Sequence, residues 1–283
     1  MPDTSFLIPL LLQSVLAPFA TAAVAAFALR RPVGRAAATA LAIAAGFLAA
    51  YAATVQGAWS LSPQSAMDWQ PWFVLAAVGG ALLVDRAPAG ARRFLARAAL
   101  GVLLSFVVAW PAIGSLGAVK ASVAAVVAGI VIAAAWSVRT RGVFAGETHP
   151  LQLALIAGGA GLAMMLDSSQ TPGRLAGSLA MALAACAVVG RFRTPAGSAA
   201  VGTTLLVLGS LLLQAHVYAG FPLVYVALLV AATVADIAPP LLANRGGSAL
   251  TWRAKAASFA LTLVPVMVVL GLVVKGMQDS GGY

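Results

Sequence analysis

Long apolar runs separated by short basic stretches make up nearly all of this chain. About 20 consecutive apolar residues carry an α-helix across the hydrocarbon core of a bilayer. That length, applied along the sequence, predicts about ten spans, with eight to ten as the range. The first five cover Phe6–Leu29, Ala36–Val55, Pro71–Val84, Ala98–Val119 and Ala121–Val138. The second five cover Leu151–Leu166, Leu175–Gly190, Ala199–Tyr218, Phe221–Leu242 and Ala256–Val274. Two of them, Pro71–Val84 and Leu151–Leu166, are short, so they extend into their flanks or one is re-entrant. The predicted fold class is all-α: a polytopic transmembrane helical bundle forming a single integral membrane domain over 1–283.

The polar interruptions give the orientation. Cytoplasmic loops of membrane proteins carry the excess of Lys and Arg. With ten spans the loops alternate sides. One set holds Arg30, Arg31 and Arg35; Arg86, Arg92, Arg93 and Arg97; Arg139 and Arg141; Arg191 and Arg193; and Arg245, Arg253 and Lys255. The other set holds Lys120, Arg174 and Lys275. This asymmetry puts the first set inside and both termini outside. Moving the count by one helix in the middle would scramble it.

Composition narrows the class. Hydrophobic residues make up 62% of the 283 residues and charged ones 8%. Soluble domains run near ~25% charged, so too little polar material exists here to cover a water-exposed surface. A soluble enzyme, a nucleic-acid-binding domain and a disordered chain are excluded. The net charge of +10 therefore marks topology, and the expected partner is the lipid bilayer, not nucleic acid. A bacterial inner (cytoplasmic) membrane is the expected location. Phe6–Leu29 is too long for a signal-peptide core, and Asp3 precedes it where a basic region would stand. It reads as a retained first helix. The single Cys186 lies in an apolar run, where an inert buried thiol is the default.

Small residues crowd the spans, most densely in Ala157-Gly158-Gly159-Ala160-Gly161. They let helix backbones approach closely and predict a tight bundle. Val84-Asp85-Arg86-Ala87-Pro88 and Ala235-Asp236-Ile237-Ala238-Pro239-Pro240 are faintly alike, which would divide the chain into weak repeat halves, 1–141 and 142–283. Trp59, Trp69 and Trp72 sit in or beside the longest external loop and read as interface anchors of an aromatic belt.

Ionisable groups inside a bilayer are costly, so each is a candidate. Asp236, just before Pro239-Pro240, is either a cation- or proton-binding carboxylate beside a broken helix or an interfacial Asp paired with Arg245 or Arg253. Asp85 lies at a span end with Arg86 adjacent, as ordinary boundary ion pairs do. Asp167 opens the polar turn Asp167-Ser168-Ser169-Gln170-Thr171-Pro172-Gly173-Arg174, with Arg174 in reach, as a helix cap or as the lip of a binding site. His216 lies near the outer end of the eighth span, and His149 is too far away to join it in a metal site, which needs three or four ligands. Gln13 and Ser14 lie between Pro9 and Pro18 in the first span. They line a path along a discontinuous helix or simply pack a kinked one.

The chain has no GxxxxGK[ST], HExxH, GxSxG or CxxC pattern, and no span carries two carboxylates. It lacks the clustered acid–base groups an enzyme needs, so no enzymatic activity, cofactor or metal is expected. Two functions fit. One is a secondary transporter or permease for a weakly polar small molecule, with Asp236, Gln13, Ser14, Asp167 and His216 as the candidate substrate path. In span count alone the layout resembles the ten-helix drug/metabolite transporter superfamily. Its termini are expected inside, against the external ones read here. The other function is a non-catalytic membrane subunit, scaffold or assembly factor, with other membrane subunits as partners.

Overall fold

A computed structural model describes residues 4–55, 62–140, 150–167, 169–190, 196–235 and 252–279. Every regular element among them is helical. Helix α1 (Thr4–Leu11) runs through a π turn (Leu12–Leu16) into α2 (Ala17–Leu29), followed by α3 (Arg35–Thr54) and α4 (Gln70–Val84). Helix α5 (Ala91–Ala109) passes through a 3-10 turn (Trp110–Ala112) into the short α6 (Ile113–Leu116), and α7 (Ala118–Arg139) follows. The rest are α8 (Pro150–Leu166), α9 (Gln170–Val189), α10 (Ser198–Ala219), α11 (Leu223–Ala235) and α12 (Trp252–Asp279).

Among the described residues seven helical stretches are long and apolar enough to cross a membrane: Ile8–Leu29, Arg35–Thr54, Ala91–Leu116, Ala118–Arg139, Gln170–Val189, Ser198–Ala219 and Ala256–Asp279. Three shorter apolar helices, Gln70–Val84, Pro150–Leu166 and Leu223–Ala235, make up the rest of the pattern. The chain is therefore a multi-pass membrane protein. The expected break between the fourth and fifth spans moves to Gly117, whose φ of 82° is open to glycine and strained for other residues. Lys120 thus lies in the first turn of α7 rather than in a loop.

Burial grades the helices from the centre outward. The apolar stretch of α10 is 89% buried, while that of Ile8–Leu29 is only 17% buried. Helix α10 packs against α3, α4, α5, α7 and α9. Peripheral helices turn large apolar side chains outward, such as Phe27 on α2 and Val119 on α7. An apolar surface of this kind suits lipid, and helical backbone satisfies its own polar groups there.

The small-residue patch behaves as expected. A Cβ on Gly161 would stand 2.7 Å from the carbonyl oxygen of Gly173, so α8 and α9 meet backbone to backbone. Gly158 faces Ala180 of the same neighbour, and Gly159 packs against Val266 of α12.

Helix directions alternate, which gives the bundle two distinct ends. Arg30 and Arg35 flank one cleft with Pro150 and Gly190. Ala36 touches Gly197, next to Ser198, which in turn binds Arg97. Arg139 donates to the carbonyl of Thr233 near the close of α11, and Gln152 donates to Ser258 of α12 at 3.0 Å. These contacts gather the starts of α3, α5, α8, α10 and α12 at one basic end. Arg174, near the start of α9, lies at the opposite end. Arg141, Arg191, Arg193 and Arg245 lie outside the described residues.

Candidate functional site

The end opposite the basic residues holds a vestibule of about 750 Å³. Its wall comprises Gln64–Met67 before α4, Pro111 beside α5, Ser169–Pro172 at the α8–α9 turn, and Gln214, Tyr218 and Ala219 of α10. The lining mixes amides, hydroxyls and apolar groups. Among the described residues it carries no charged side chain.

Local chemistry explains the shape of that wall. The Asp68 carboxylate accepts the backbone N–H of Ser65 at 2.9 Å and of Gln64 at 3.1 Å, folding the loop back on itself. These bonds, that from Ser65 first, hold the Asp68 carboxyl below its usual value despite some desolvation. Tyr51 on α3 donates to the carbonyl of Met67 at 2.8 Å. Gln214 donates to the carbonyl of Ala66 at 3.3 Å. On the far side, Tyr218 donates to the carbonyl of Val108 at 2.9 Å, tying α10 to α5. Helix α10 ends at Gly220, whose φ of 74° supplies the left-handed turn. The Phe221 N–H then reaches back to Ala215 at 3.0 Å.

Two polar atoms in this wall have no hydrogen-bond partner. Ser169 is 2% exposed and its hydroxyl is unpaired; Gln214 is 3% exposed and its Oε1 is unpaired. Buried polar groups in folded proteins are nearly always paired, so such orphans call for a partner. Two further orphans continue below them. Gln70 at the start of α4 donates to Ser210 at 3.2 Å, leaving its own Oε1 unpaired. The hydroxyl of Thr203, two turns further along α10, is unpaired as well. At about 100° per residue, Gln214, Ser210 and Thr203 share one face of α10.

The basic end is organised quite differently. Arg97 on α5 is only 4% exposed. It donates to Thr140 at 2.8 Å, Ser137 at 3.2 Å and Ser198 at 3.0 Å. Its guanidinium carbon lies 4.6 Å from the centre of the Trp136 ring, a cation–π distance. Trp136 also donates to the Ser198 hydroxyl at 3.1 Å, and that hydroxyl donates to Asp85 at 2.5 Å. With two bonds accepted and one donated, Ser198 is saturated. Arg97 and Asp85 themselves stand 3.9 Å apart. This clasp joins the end of α4 to α5, α7 and α10.

The residues singled out from sequence fall in several places. Gln13 accepts from Arg174 at 3.0 Å, and the Ser14 carbonyl accepts from Ser178 at 3.3 Å. Both pairs seat the π turn on α9, away from the vestibule. Arg174 thus turns to Gln13 and not to Asp167. Asp167 stands just before the vestibule strip without lining it, and burial pushes its carboxyl up from its ordinary value. His216 places Nδ1 at 2.7 Å from the carbonyl oxygen of Phe221, so that nitrogen donates and the ring braces the α10–α11 turn. Trp69 precedes α4, and Trp72 on its first turn is 37% exposed at the same end as the vestibule. Asp236, Trp59, His149 and Ser168 lie outside the described residues. Asp85 pairs with Arg97 and Ser198 in place of Arg86.

Sequence reading missed Ser169, Gln170 and Gln214 as site residues, although they lie in the two polar segments that drew attention to Asp167 and His216. The signal was the density of neutral amides and hydroxyls, while the search had favoured ionisable groups. Comparison of the chain with protein-family models, curated proteins and solved structures gives no match, so the resemblance in span count gains no support there.

Proposed function

We propose that this chain is a non-enzymatic membrane permease that takes an uncharged, weakly polar small molecule into the vestibule. The supporting observation is the pairing of a roomy, charge-free pocket with two buried polar atoms, on Ser169 and Gln214, that lack partners. Pockets of about 300–1,000 Å³ suit small ligands, and a few well-placed polar groups among apolar ones set specificity. An ion would find no counter-charge in this lining. A neutral hydroxyl or amide would meet both a donor and an acceptor once the Ser169 and Gln214 side chains, whose unpaired atoms are buried, turn toward it.

In this reading all ten apolar helices span, the three shorter ones completing the set, and the basic end faces the cytoplasm of a bacterial inner membrane. The vestibule and both termini then open to the outside. The test uses proteoliposomes given an equimolar panel of neutral polyols and amides beside sodium acetate and ammonium chloride, with internal solute measured. Neutral members should enter faster than into protein-free vesicles, and Gln214→Leu should cut that rate at least tenfold. Entry of the ions alone, or of nothing above background, would overturn the reading.

The close packing around α10 favours a second reading, a non-catalytic subunit or scaffold of a larger membrane assembly. Stoichiometric co-purification of another subunit in mild detergent, together with absent uptake, would establish it in place of the first.

A further inference from the structure

The polar atoms of the vestibule do not stop at its floor. Helices α4 and α10 run antiparallel in contact, with Gln70 against Ser210 towards one end and Asp85 against Ser198 at the other. Along that seam lie three buried oxygen atoms without partners: Gln214 Oε1, Gln70 Oε1 and the Thr203 hydroxyl. At about 1.5 Å per residue, Gln214 to Thr203 spans about 16 Å of helix. That is roughly half of a hydrocarbon core of ~30 Å. Other unpaired oxygens lie off this seam, on Ser14, Thr54 and Ser169. The file along one helix pair, ending on the charged clasp of Asp85, Ser198 and Arg97, has a direction.

We propose that the α4–α10 seam is the solvent-access route between the vestibule and the basic end, and that the Asp85–Ser198–Arg97 clasp closes it there. The orphan oxygens supply successive hydrogen-bonding stations for water or for a neutral solute. Such groups are tolerated at membrane depth where they line a hydrated path. Closure requires Asp85, which caps the end of α4, to be held to α10 through Ser198 and to α5 through Arg97. Loss of either tie lets the end of α4 move away from α10. That the vestibule's solute itself follows this route rests on the permease reading; access of water does not.

The test is cysteine accessibility in the full-length chain carrying Cys186→Ala, reconstituted in vesicles. Ala89→Cys marks the basic face and Thr171→Cys marks the vestibule face, so the side exposed to a membrane-impermeant cationic methanethiosulfonate is known. Thr203→Cys should react slowly from the basic face in the otherwise intact chain. Adding Arg97→Gln or Asp85→Asn should raise that rate at least tenfold, and the milder Ser198→Ala by a smaller factor. Ala182→Cys on α9, equally buried but off the seam, should stay slow throughout. If Arg97→Gln fails to fold, Ser198→Ala still gives the readout. An unchanged Thr203→Cys rate in folded clasp variants, or an equal rise at Ala182→Cys, overturns the proposal. Loss of the labelling pattern with neutral-solute uptake intact refutes the seam alone. The labelling pattern without uptake supports the seam as a water route and refutes the permease.

Discussion

At the basic end, the hydroxyl of Ser198 uses its whole hydrogen-bonding capacity on Arg97, Trp136 and Asp85. At the opposite end, Ser169 is more deeply buried than the half-buried Ser198, and its hydroxyl binds nothing. The two ends contain similar residue types, and the unpaired ones lie the deeper. They differ in whether the neighbours are arranged to meet each other or to meet something else. A saturated network in low dielectric holds elements in one arrangement. An unsaturated one is tolerable only where a partner arrives from outside. The contrast sets a hydroxyl whose bonds are all used at one end of the bundle against one whose bonds are unused at the other.

The sharpest way to break this comparison is Arg97→Ala. It removes the cation over Trp136 and strips donors from Thr140, Ser137 and Ser198 together. Asp85 is 27% exposed and stands 3.9 Å from Arg97, so the cost falls below the about 3–5 kcal/mol of a fully buried pair, and denaturant unfolding in detergent micelles should show a loss of about 2–3 kcal/mol from the stranded hydroxyls. A loss under about 1 kcal/mol would mean the clasp is ornamental. Ser198→Ala comes next. It leaves Asp85 and the Trp136 N–H without their shared partner, at about 1–3 kcal/mol by the same measurement.

The vestibule should answer differently. Gln214→Leu sacrifices the bond to Ala66 but also removes an unpaired buried oxygen. The Ala66 carbonyl loses only a long bond of 3.3 Å, and removal of an unpaired buried oxygen offsets that loss, so the unfolding free energy should change by less than about 1 kcal/mol. A large loss would show Gln214 to be structural and would erase the contrast. The smallest expected effect concerns Asp68. Its carboxyl titrates below the ordinary value because the charged form accepts loop N–H groups. The sign is that of a depressed acid: its contribution is present above about pH 4, the ordinary Asp value, and is lost as pH falls through the lowered one. Trp69 fluorescence should report loosening of the loop only in that acid range, and Asp68→Asn should abolish the transition. A transition at neutral pH would point to another group.

Much of this architecture was legible in the chain because bilayer burial imposes a strong length rule. The apolar runs fell where the helices lie, the short pair Pro71–Val84 and Leu151–Leu166 included, while the run read as Phe221–Leu242 is described as helix only over Leu223–Ala235. The alternation of basic loops anticipated that Arg30, Arg35, Arg97 and Arg139 would collect at one end. What the charges could not reveal was depth. Arg97 and Arg139 read as loop cations because they border apolar runs, yet both are among the most buried side chains, with their heads drawn inward by hydroxyls and carbonyls from other helices. Such partners come from residues about 40 to 100 positions away, and no local pattern encodes them. The site was half legible for a similar reason. The polar turn after Asp167 was visible as a lip, but Ser169 and not Asp167 lines the vestibule, because which neighbour faces a pocket is decided by helix packing, not by charge.

The π turn at Leu12–Leu16 has a consequence of a different kind. Pro18 has no N–H to offer the carbonyl of Ser14, and the Ala17 N–H instead bonds to Leu12, five residues back. A π turn amounts to one residue inserted into an α-helix. Deleting any single residue of that turn would restore ordinary helical phase and swing everything before it by about 100° around the axis. Gln13 would then be carried off Arg174 while the composition of the segment hardly changed. Among descendants of this sequence, an indel at this spot would therefore act as a dial on the angular setting of the first helix, altering which side of it meets α9 and which meets lipid at nearly constant composition.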